Sequence, residues 1–501
     1  MERIIKIVSI VIIALAIAGC ENFLAEEPRD LLSPENFFAS DQEARAAANG
    51  LYVPLYSNSL FGSYGIKRFY MYGADVIEPS REGGGSLNDI NNYTLSESRD
   101  AGARGAWQDF YKIIQDANVV LERVEDNDNL SEASRNQTIG EALFLRAFSY
   151  YNLTNMFGDV PYYRESLSLE EVQQLGRFDE SEIRNEIADD LSRAMDLLPE
   201  NYTGDDLGKV SRWAAATLAA KIYLIQERWE EARDISVNII NNSPHRLMDD
   251  YGTVFEPDNS YNDEVIWELD FVKDLNPTIT TDLFSPRIRD EPANGSDRAA
   301  LIAALDERNE GFTGYGLAIP KCGFVDEFPL DDLRRPHNVT ESYLGFDLNY
   351  PYMPKMWNLD QINSPRQNHG ENYIIFRLAD VYLMAAEAEN EFSGPGNAFQ
   401  YINRVRERAF EPEQPLSGMS RQQFREAIYE ERRWELAGEG HRRMDLIRWG
   451  ILEERLQNTR HCAYDPVANF QPHHVKFPIP EEEIVLNPAL LESDPTNNGY
   501  R

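Results

Sequence analysis

The chain has 501 residues, and its 85 acidic against 48 basic side chains give a formal net charge of −37. This excess excludes ordinary nucleic-acid binding, because phosphate contacts need clustered Lys and Arg, and it disfavours adhesion to anionic lipid through a polybasic face. With 42% apolar and 11% aromatic residues the chain can bury a core, so it is not a disordered acidic polymer.

The N-terminus carries a targeting signal. An apolar run of 12 residues, Ile7 to Ala18, is too short for the ~20 residues of a membrane-spanning helix and predicts a signal peptide over residues 1–19. The run ends in Ile-Ala-Gly before Cys20, which looks like a bacterial lipobox, whose cysteine is acylated; the alternative is a plain secretory signal with an incidental cysteine. Cleavage would remove two basic and one acidic side chain and change the net charge from −37 to −38. Several acyl chains anchor a protein stably where one would not.

The rest of the chain, residues 20–501, is predicted to be a single domain. Three cysteines cannot make a disulfide framework. Once Cys20 is lipidated, Cys322 and Cys462 remain as a possible disulfide pair.

Most of this domain is predicted to be helical, because composition and 3.6-residue spacing favour helix in ten segments. In chain order they are residues 41–57, 107–125, 138–157, 181–198, 211–227, 229–242, 374–391, 396–409, 420–438 and 441–457.

Residues 211–227 and 229–242 match a repeat of the tetratricopeptide type. With Trp213 at position one, Ala219 and Ala220 fill the seventh and eighth positions, where small residues let paired helices approach closely. The pattern predicts a mainly α fold, a tetratricopeptide-like repeat scaffold with long irregular loop insertions and minor β structure. The scheme occurs twice more, in residues 379–408 and in the pair 140–157 and 181–199.

Two variable loop regions, residues 60–106 and 250–370, interrupt the repeats. Both are rich in aromatic residues, and the second contains a strand-like alternation at Glu264–Phe271. Loops of this length are usually functional or disordered, and the aromatic content argues against disorder. The first region has five basic and six acidic side chains and is almost neutral, which makes a neutral ligand the simplest match, while a sulfated or uronic-acid ligand stays possible through local arginines.

Motifs for catalysis, nucleotides or cofactors are missing, so we predict no cofactor. His461 and the pair His473-His474 match no tight metal-ligand spacing. The charged stretch from Glu430 to Arg448 is interpreted as an ion-pair network that braces the last helices. Arg146, in an otherwise apolar helix, is expected to satisfy a buried partner.

Several sequence blocks occur in a recognisable order along the chain. They are the lipobox at Cys20, residues 107–118, 140–161, 372–388, 402–409 and 431–449, Phe477–Pro480 with Glu483-Ile484 and Asn487-Pro488, and Gly499-Tyr500. Together these blocks resemble the SusD/RagB family of Bacteroidota outer-membrane lipoproteins. The resemblance implies a helical protein with tetratricopeptide-like units on one side and irregular loops on the other. It also implies a cell-surface location, a SusC-like TonB-dependent transporter as partner, and capture of a glycan, or in some branches a peptide, without chemical conversion.

Ligand contacts fall outside the shared blocks and are ranked by sugar chemistry. Pyranose C–H groups stack on aromatic rings, and hydroxyls need Asn, Asp or Arg partners. Each candidate has the alternative of packing in the core. From the first loop region we select Tyr72, Arg81, Asn88, Asn91 and Tyr93, and from the second Phe284, Tyr315, Tyr350, Tyr352 and Trp357.

The leading functional hypothesis is therefore a lipid-anchored glycan-binding protein of the outer membrane that is not an enzyme. Two alternatives stay open. One is a surface glycoside hydrolase, whose carboxylate pair cannot be identified from sequence because the diagnostic quantity is a distance. The other is a scaffold-only repeat lipoprotein in envelope assembly.

Overall fold

The computed structural model of the chain describes residues 38–80, 85–289, 298–463 and 469–501. Its helices in these ranges are α1 Asp41–Tyr52, α2 Lys67–Met71, α3 Ser86–Asn91, α4 Ala103–Val124, α5 Glu132–Phe157, α6 Leu169–Val172, α7 Glu180–Leu197, α8 Arg212–Ile225, α9 Trp229–Asn242, α10 Thr280–Phe284, α11 Arg298–Arg308, α12 Cys322–Glu327, α13 Arg335–Asn338, α14 Leu378–Ser393, α15 Pro395–Arg406, α16 Arg421–Glu435, α17 Arg442–Arg448, α18 Leu452–Asn458 and α19 Glu481–Leu486. Its strands are β1 Ile77–Pro79, β2 Val265–Leu269, β3 Ala318–Pro320, β4 Thr340–Tyr343, β5 Phe346–Tyr352 and β6 Tyr373–Arg377.

The long helices form one continuous stack. Helix α4 packs on α5, α5 on α7, α7 on α8 and α8 on α9, and α9 packs on α14, which contacts α15 and α16. The stack is continuous in space although residues 243–377 separate α9 from α14 in the chain. The predicted helical-repeat scaffold is confirmed, and the second loop region leaves and rejoins it at neighbouring helices.

Helix α8 shows why the repeat pattern favours this packing. The Ser211 side chain accepts a hydrogen bond from the N–H of Ala214 and caps the first turn. Ala219 and Ala220 are completely buried, and their small side chains let neighbouring helices approach. The two alanines selected by repeat position therefore lie where neighbouring helices contact each other.

Three of the differences between predicted and observed helix boundaries have a clear local reason. Residues 373–377 are strand β6, because their aromatic and β-branched side chains pair with β2. The first helix ends at Tyr52, before Pro54, which has no N–H to donate. The predicted helix 441–457 is divided in two around Gly450, whose φ of +71° is left-handed.

The loop regions contain short helices and three antiparallel two-stranded sheets, β1–β3, β2–β6 and β4–β5, within the described residues. The strand predicted at Glu264–Phe271 is confirmed as β2. It places Trp267 opposite Phe376 of β6, where Trp267 packs edge-on against Phe144 and Phe148 of α5. This contact fixes the second loop region against the repeat stack.

Buried ion pairs brace the scaffold as expected. Arg146 is 3% exposed and binds the Asp190 carboxylate through two nitrogens at 2.9 Å. Arg377 of β6 contacts Glu435 at 2.7 Å and Glu439 at 2.6 Å. The network around α16 and α17 is confirmed, but many of its partners come from distant segments rather than from the same helix.

Cys322 and Cys462 are bonded as a disulfide across 140 positions of sequence. The same corner is fixed by Glu78 of β1, whose carboxylate accepts the N–H groups of Cys462 and Ala463 at 2.6 and 2.9 Å. Among the described helices, none is both long and apolar enough to cross a membrane.

Candidate functional site

The two loop regions meet at the β1–β3 sheet. Ile77 pairs with Pro320 and Pro79 with Ala318, and the N–H of Ser80 continues the pattern by donating to the oxygen of Leu317 at 3.3 Å. Residues that are about 240 positions apart in the sequence are thus neighbours. The segment just before β3 carries Tyr315.

Backbone hydrogen bonds to helix α10 hold this segment in place. The backbone oxygen of Asp282 accepts the N–H of Tyr315 at 2.6 Å, and the oxygen of Leu283 accepts the N–H of Leu317 at 2.8 Å. Gly314 allows the close approach, because a Cβ there would lie 2.0 Å from the Ser285 hydroxyl. The turn therefore presents Tyr315 in a fixed position.

Tyr315 pairs with Tyr64 of the first loop region. The two ring centroids are 6.4 Å apart, and the rings are inclined at 39°. The Arg68 guanidinium lies 5.6 Å from the Tyr64 ring and the Arg366 guanidinium 4.9 Å from the Tyr315 ring, and the Gln367 amide donates to the Tyr315 hydroxyl at 2.9 Å. We call these five residues the paired-tyrosine surface.

Hydrogen bonds hold the two arginine side chains of this surface in place. Arg68 donates to the backbone oxygens of Gly65 at 3.1 Å and Ala101 at 2.7 Å and to the Ser86 hydroxyl at 3.0 Å. Arg366 donates through Nε to the backbone oxygen of Thr313. These contacts position both guanidinium groups beside the rings.

The electrostatics follow from partial burial. Burial raises the pKa of Tyr64, and Tyr315 and Asp282 raise it further, so the phenol stays neutral at physiological pH. Burial lowers the pKa of Arg68. A half-buried aromatic pair beside amide and guanidinium donors can stack on a sugar face and bind its hydroxyls.

Three of the ten predicted ligand residues are only partly buried in the structure. They are Asn88 of α3, Tyr350 of β5 and Tyr315. Tyr315 belongs to the paired-tyrosine surface. Tyr350 lies on β5, which packs along β3, and β3 begins shortly after Tyr315 in the chain.

Six other predicted residues lie in the interior. The Tyr72 hydroxyl donates to the backbone oxygen of Leu317, and the Tyr93 hydroxyl donates to that of Gly73. Trp357 packs against Phe312 and donates through its indole N–H to the oxygen of Phe284. Their burial corrects the expectation of exposed stacking platforms, because aromatic rings in loops of this size form a core of their own. The six residues are Tyr72, Asn91, Tyr93, Phe284, Tyr352 and Trp357, all 7% exposed or less.

Arg81 and the lipidation candidate Cys20 lie outside the described residues. Sequence reasoning missed Tyr64, Arg68, Arg366 and Gln367. A usable signal existed for one pair, since Arg68 follows Tyr64 by four positions, the spacing of one helical turn. No comparable signal links Tyr64 to Tyr315.

A second concave region shares no lining residue with the paired-tyrosine surface. It is a cavity of ≈ 400 Å³ between the α7–α8 connection and β2, and its lining includes Tyr202, Lys209, Tyr261 and Glu268. None of the ten predicted residues lines it. Across the described ranges, no three His, Cys, Asp or Glu side chains come together as a metal site.

Two family profiles match the chain. The profile described as "SusD family" matches residues 333–500, and the one described as "Starch-binding associating with outer membrane" matches residues 78–224. A SusD-like protein, P25, from Formosa agariphila is 46% identical over the full length of both chains. The chain therefore belongs to the SusD/RagB family.

More distant relatives show the range of this similarity. The starch-binding protein SusD of Bacteroides thetaiotaomicron is 22% identical over 75% of each chain. A solved structure of a laminarin-binding SusD-like protein superposes with a TM-score of 0.72 at 25% identity, covering 89% of this chain and 97% of the other.

Proposed function

We propose that this protein is a cell-surface glycan-binding lipoprotein that captures an oligo- or polysaccharide and delivers it to a SusC-like TonB-dependent transporter. The observation that carries the glycan part is the paired-tyrosine surface, where Tyr64 and Tyr315 lie 6.4 Å apart beside polar donors. In this proposal Arg81, Asn88 and Tyr350 supply further contacts. Binding of starch and laminarin by relatives supports the choice of a glycan over a peptide.

The proposal includes no chemical conversion of the ligand. Within the charged stretch from Glu430 to Arg448, the buried carboxylate of Glu435 is held in ion pairs. Glu435 contacts Arg334 at 2.8 Å and both Arg377 and Arg408 at 2.7 Å. Burial alone would raise the pKa of Glu435, but these guanidinium groups outweigh burial and hold it well below its usual range. Such a group is a poor general acid.

Export and anchoring complete the proposal. Residues 1–19 act as the signal peptide, Cys20 carries the lipid, and residues 20–501 form the domain at the outer surface of the outer membrane. The Cys322–Cys462 disulfide supports export, because disulfides persist in oxidising compartments.

Affinity electrophoresis of the purified protein against a panel that includes starch, laminarin and acidic polysaccharides tests the binding function. Tyr315→Ala is expected to abolish retardation by the ligand while leaving the melting temperature nearly unchanged. Tyr401→Ala, a partly buried tyrosine of α15 on the repeat stack, is the matched control. Retained binding in Tyr315→Ala, with loss in Tyr261→Ala, would move the site to the second cavity.

Two further measurements address the alternatives. Release of reducing sugar from the bound polysaccharide would establish a hydrolase and contradict the proposal. Co-purification with a large outer-membrane barrel is expected for the transporter partnership. A protein that binds no glycan but retains an envelope protein through its repeat helices would be a scaffold only.

A further inference from the structure

The charge on the paired-tyrosine surface differs from that of the rest of the molecule. Two guanidinium groups, Arg68 and Arg366, lie beside the two rings. The whole chain carries −37, so cations placed on either side of the proposed stacking platform bear on which ligand it selects.

Arg68 is a half-buried cation to which no carboxylate of the described residues is hydrogen-bonded. Within the described residues its hydrogen bonds go to two backbone oxygens and a hydroxyl, and its Nη2 makes none. Of the carboxylates nearby, Asp100 accepts the N–H groups of Gly102 and Arg104, and Asp282 accepts that of Gln367. Asp100 therefore acts on Arg68 through its charge alone, without a hydrogen bond to it.

Three buried arginines of the structure differ from Arg68 because they are paired with carboxylates. Arg146, Arg377 and Arg432 are each buried and each contact at least one carboxylate at 2.9 Å or less. Removing a cation from water is unfavourable, and a paired anion offsets that cost. At Arg68 burial lowers the pKa, and the nearby charge of Asp100 offsets only part of this effect. Because no carboxylate of the described residues hydrogen-bonds Arg68, its Nη2 is open to an anionic group of a ligand.

We propose that the paired-tyrosine surface selects acidic glycans, with Arg68 placed to bind a carboxylate or sulfate group on a sugar stacked against Tyr64 and Tyr315. This inference rests on the proposed glycan-binding function and specifies its ligand class. Guanidinium groups suit both anions, because their planar fork donates two parallel hydrogen bonds. A uronic acid and a sulfated sugar share this chemistry.

The net charge of the molecule opposes such a ligand only weakly at contact range. At physiological ionic strength the Debye length is about 8 Å, so acidic side chains on distant helix faces are largely screened. A charge-assisted hydrogen bond at the partly buried surface is screened much less. Local guanidinium groups therefore dominate the choice of ligand.

Matched polysaccharide pairs test the inference with the unmodified protein. Polygalacturonate is compared with its carboxyl-reduced form, and a sulfated galactan with its desulfated form, by affinity electrophoresis and calorimetry. We expect the acidic member of at least one pair to bind at least about tenfold more tightly than its neutral counterpart. The pair that shows the preference identifies the anion as carboxylate or sulfate.

Two substitutions test whether Arg68 causes the preference for the acidic polysaccharide. Arg68→Gln should remove most of this preference, whereas Arg68→Lys, which keeps the charge, should retain part of it. Arg246→Gln is the control, because Arg246 is 72% exposed, pairs with Asp263 and is not part of the paired-tyrosine surface. Unfolding curves establish that each variant is folded, and the comparison within pairs holds even if Arg68→Gln does not fold.

The possible outcomes distinguish failure of this inference from failure of the proposed glycan-binding function on which it rests. Binding of neutral glycans such as starch or laminarin, with no preference for either acidic polymer, would overturn the acidic-ligand assignment and leave the glycan-binding function standing. An acidic preference unaffected by Arg68→Gln would also overturn it, because the anion would then bind elsewhere. Absence of binding to every glycan would refute both.

Discussion

The backbone oxygen of Asp282 accepts the N–H of Tyr315 at 2.6 Å, and the carboxylate of the same residue accepts the N–H of Gln367. Asp282 is 2% exposed. One buried residue thus orients two members of the paired-tyrosine surface without reaching the ligand itself.

Asp282→Ala should therefore weaken glycan binding indirectly. The variant leaves the N–H of Gln367 without its acceptor, and we expect a loss of about 1–3 kcal/mol in the free energy of unfolding together with a several-fold loss of affinity. Calorimetry and denaturant unfolding measure the two effects. Asp347→Ala, an exposed carboxylate on β5, should change neither, and unaltered affinity in Asp282→Ala would show that this support is dispensable.

Trp357→Ala should lower the stability of the protein rather than specifically weaken ligand binding. The indole is 7% exposed, packs 5.4 Å from the Phe312 ring centroid and donates to the oxygen of Phe284 at 2.8 Å. Truncating a buried Trp costs about 3–5 kcal/mol, which chemical denaturation would detect. A fully stable Trp357→Ala protein that lost only ligand binding would contradict the buried position.

Arg377→Ala should be among the most destabilising substitutions. Arg377 is 1% exposed and contacts Glu264, Glu435 and Glu439 at 2.9 Å or less. Removing one partner from a buried ion-pair cluster leaves uncompensated charges and costs about 3–5 kcal/mol. Arg246→Ala, an exposed ion pair, should cost at most about 1 kcal/mol by the same denaturation measurement.

Glu268→Gln should change the pH dependence of stability. Burial raises the pKa of Glu268 to about 7, against about 4.3 in an unfolded chain. The wild-type carboxyl therefore favours the folded state fully below about pH 4, and this contribution is lost as the pH rises to about 7. The glutamine can still accept from the N–H of Tyr261 and the amide of Asn372.

The difference in unfolding free energy between Glu268→Gln and wild type, measured at intervals from pH 4 to pH 9, should shift in favour of the variant up to about pH 7 and then level off. A constant difference over that range would refute the raised pKa.

The double variant Cys322→Ser/Cys462→Ser should lower the free energy of unfolding by about 2–5 kcal/mol, because the bond closes a long loop and restricts the unfolded chain. A reducing agent should lower the denaturation midpoint of the wild type and leave that of the variant unchanged. Equal sensitivity of both proteins would mean that the bond contributes nothing.

The repeat helices could be predicted from sequence because their signals are local. The burial of the α8 alanines and the pairing of Arg146 with a buried partner depend on helical spacing and on one adjacent helix. Both predictions agree with the structure. Most of the paired-tyrosine surface could not be predicted, because Tyr64 meets Tyr315 only after β1 pairs with β3. The same long-range packing decides that Trp357 is buried while Tyr315 is only partly buried.

The disulfide between Cys322 and Cys462 also bears on survival outside the cell. It encloses β4, β5, β6 and helices α13 to α18 within one covalent loop. A protease that cut a single peptide bond in that loop would leave both fragments joined, and the buried packing of α14 and α16 would hold the cut ends in place. On a reducing gel such a molecule would run as two pieces, whereas in its native state it would keep its shape after being nicked.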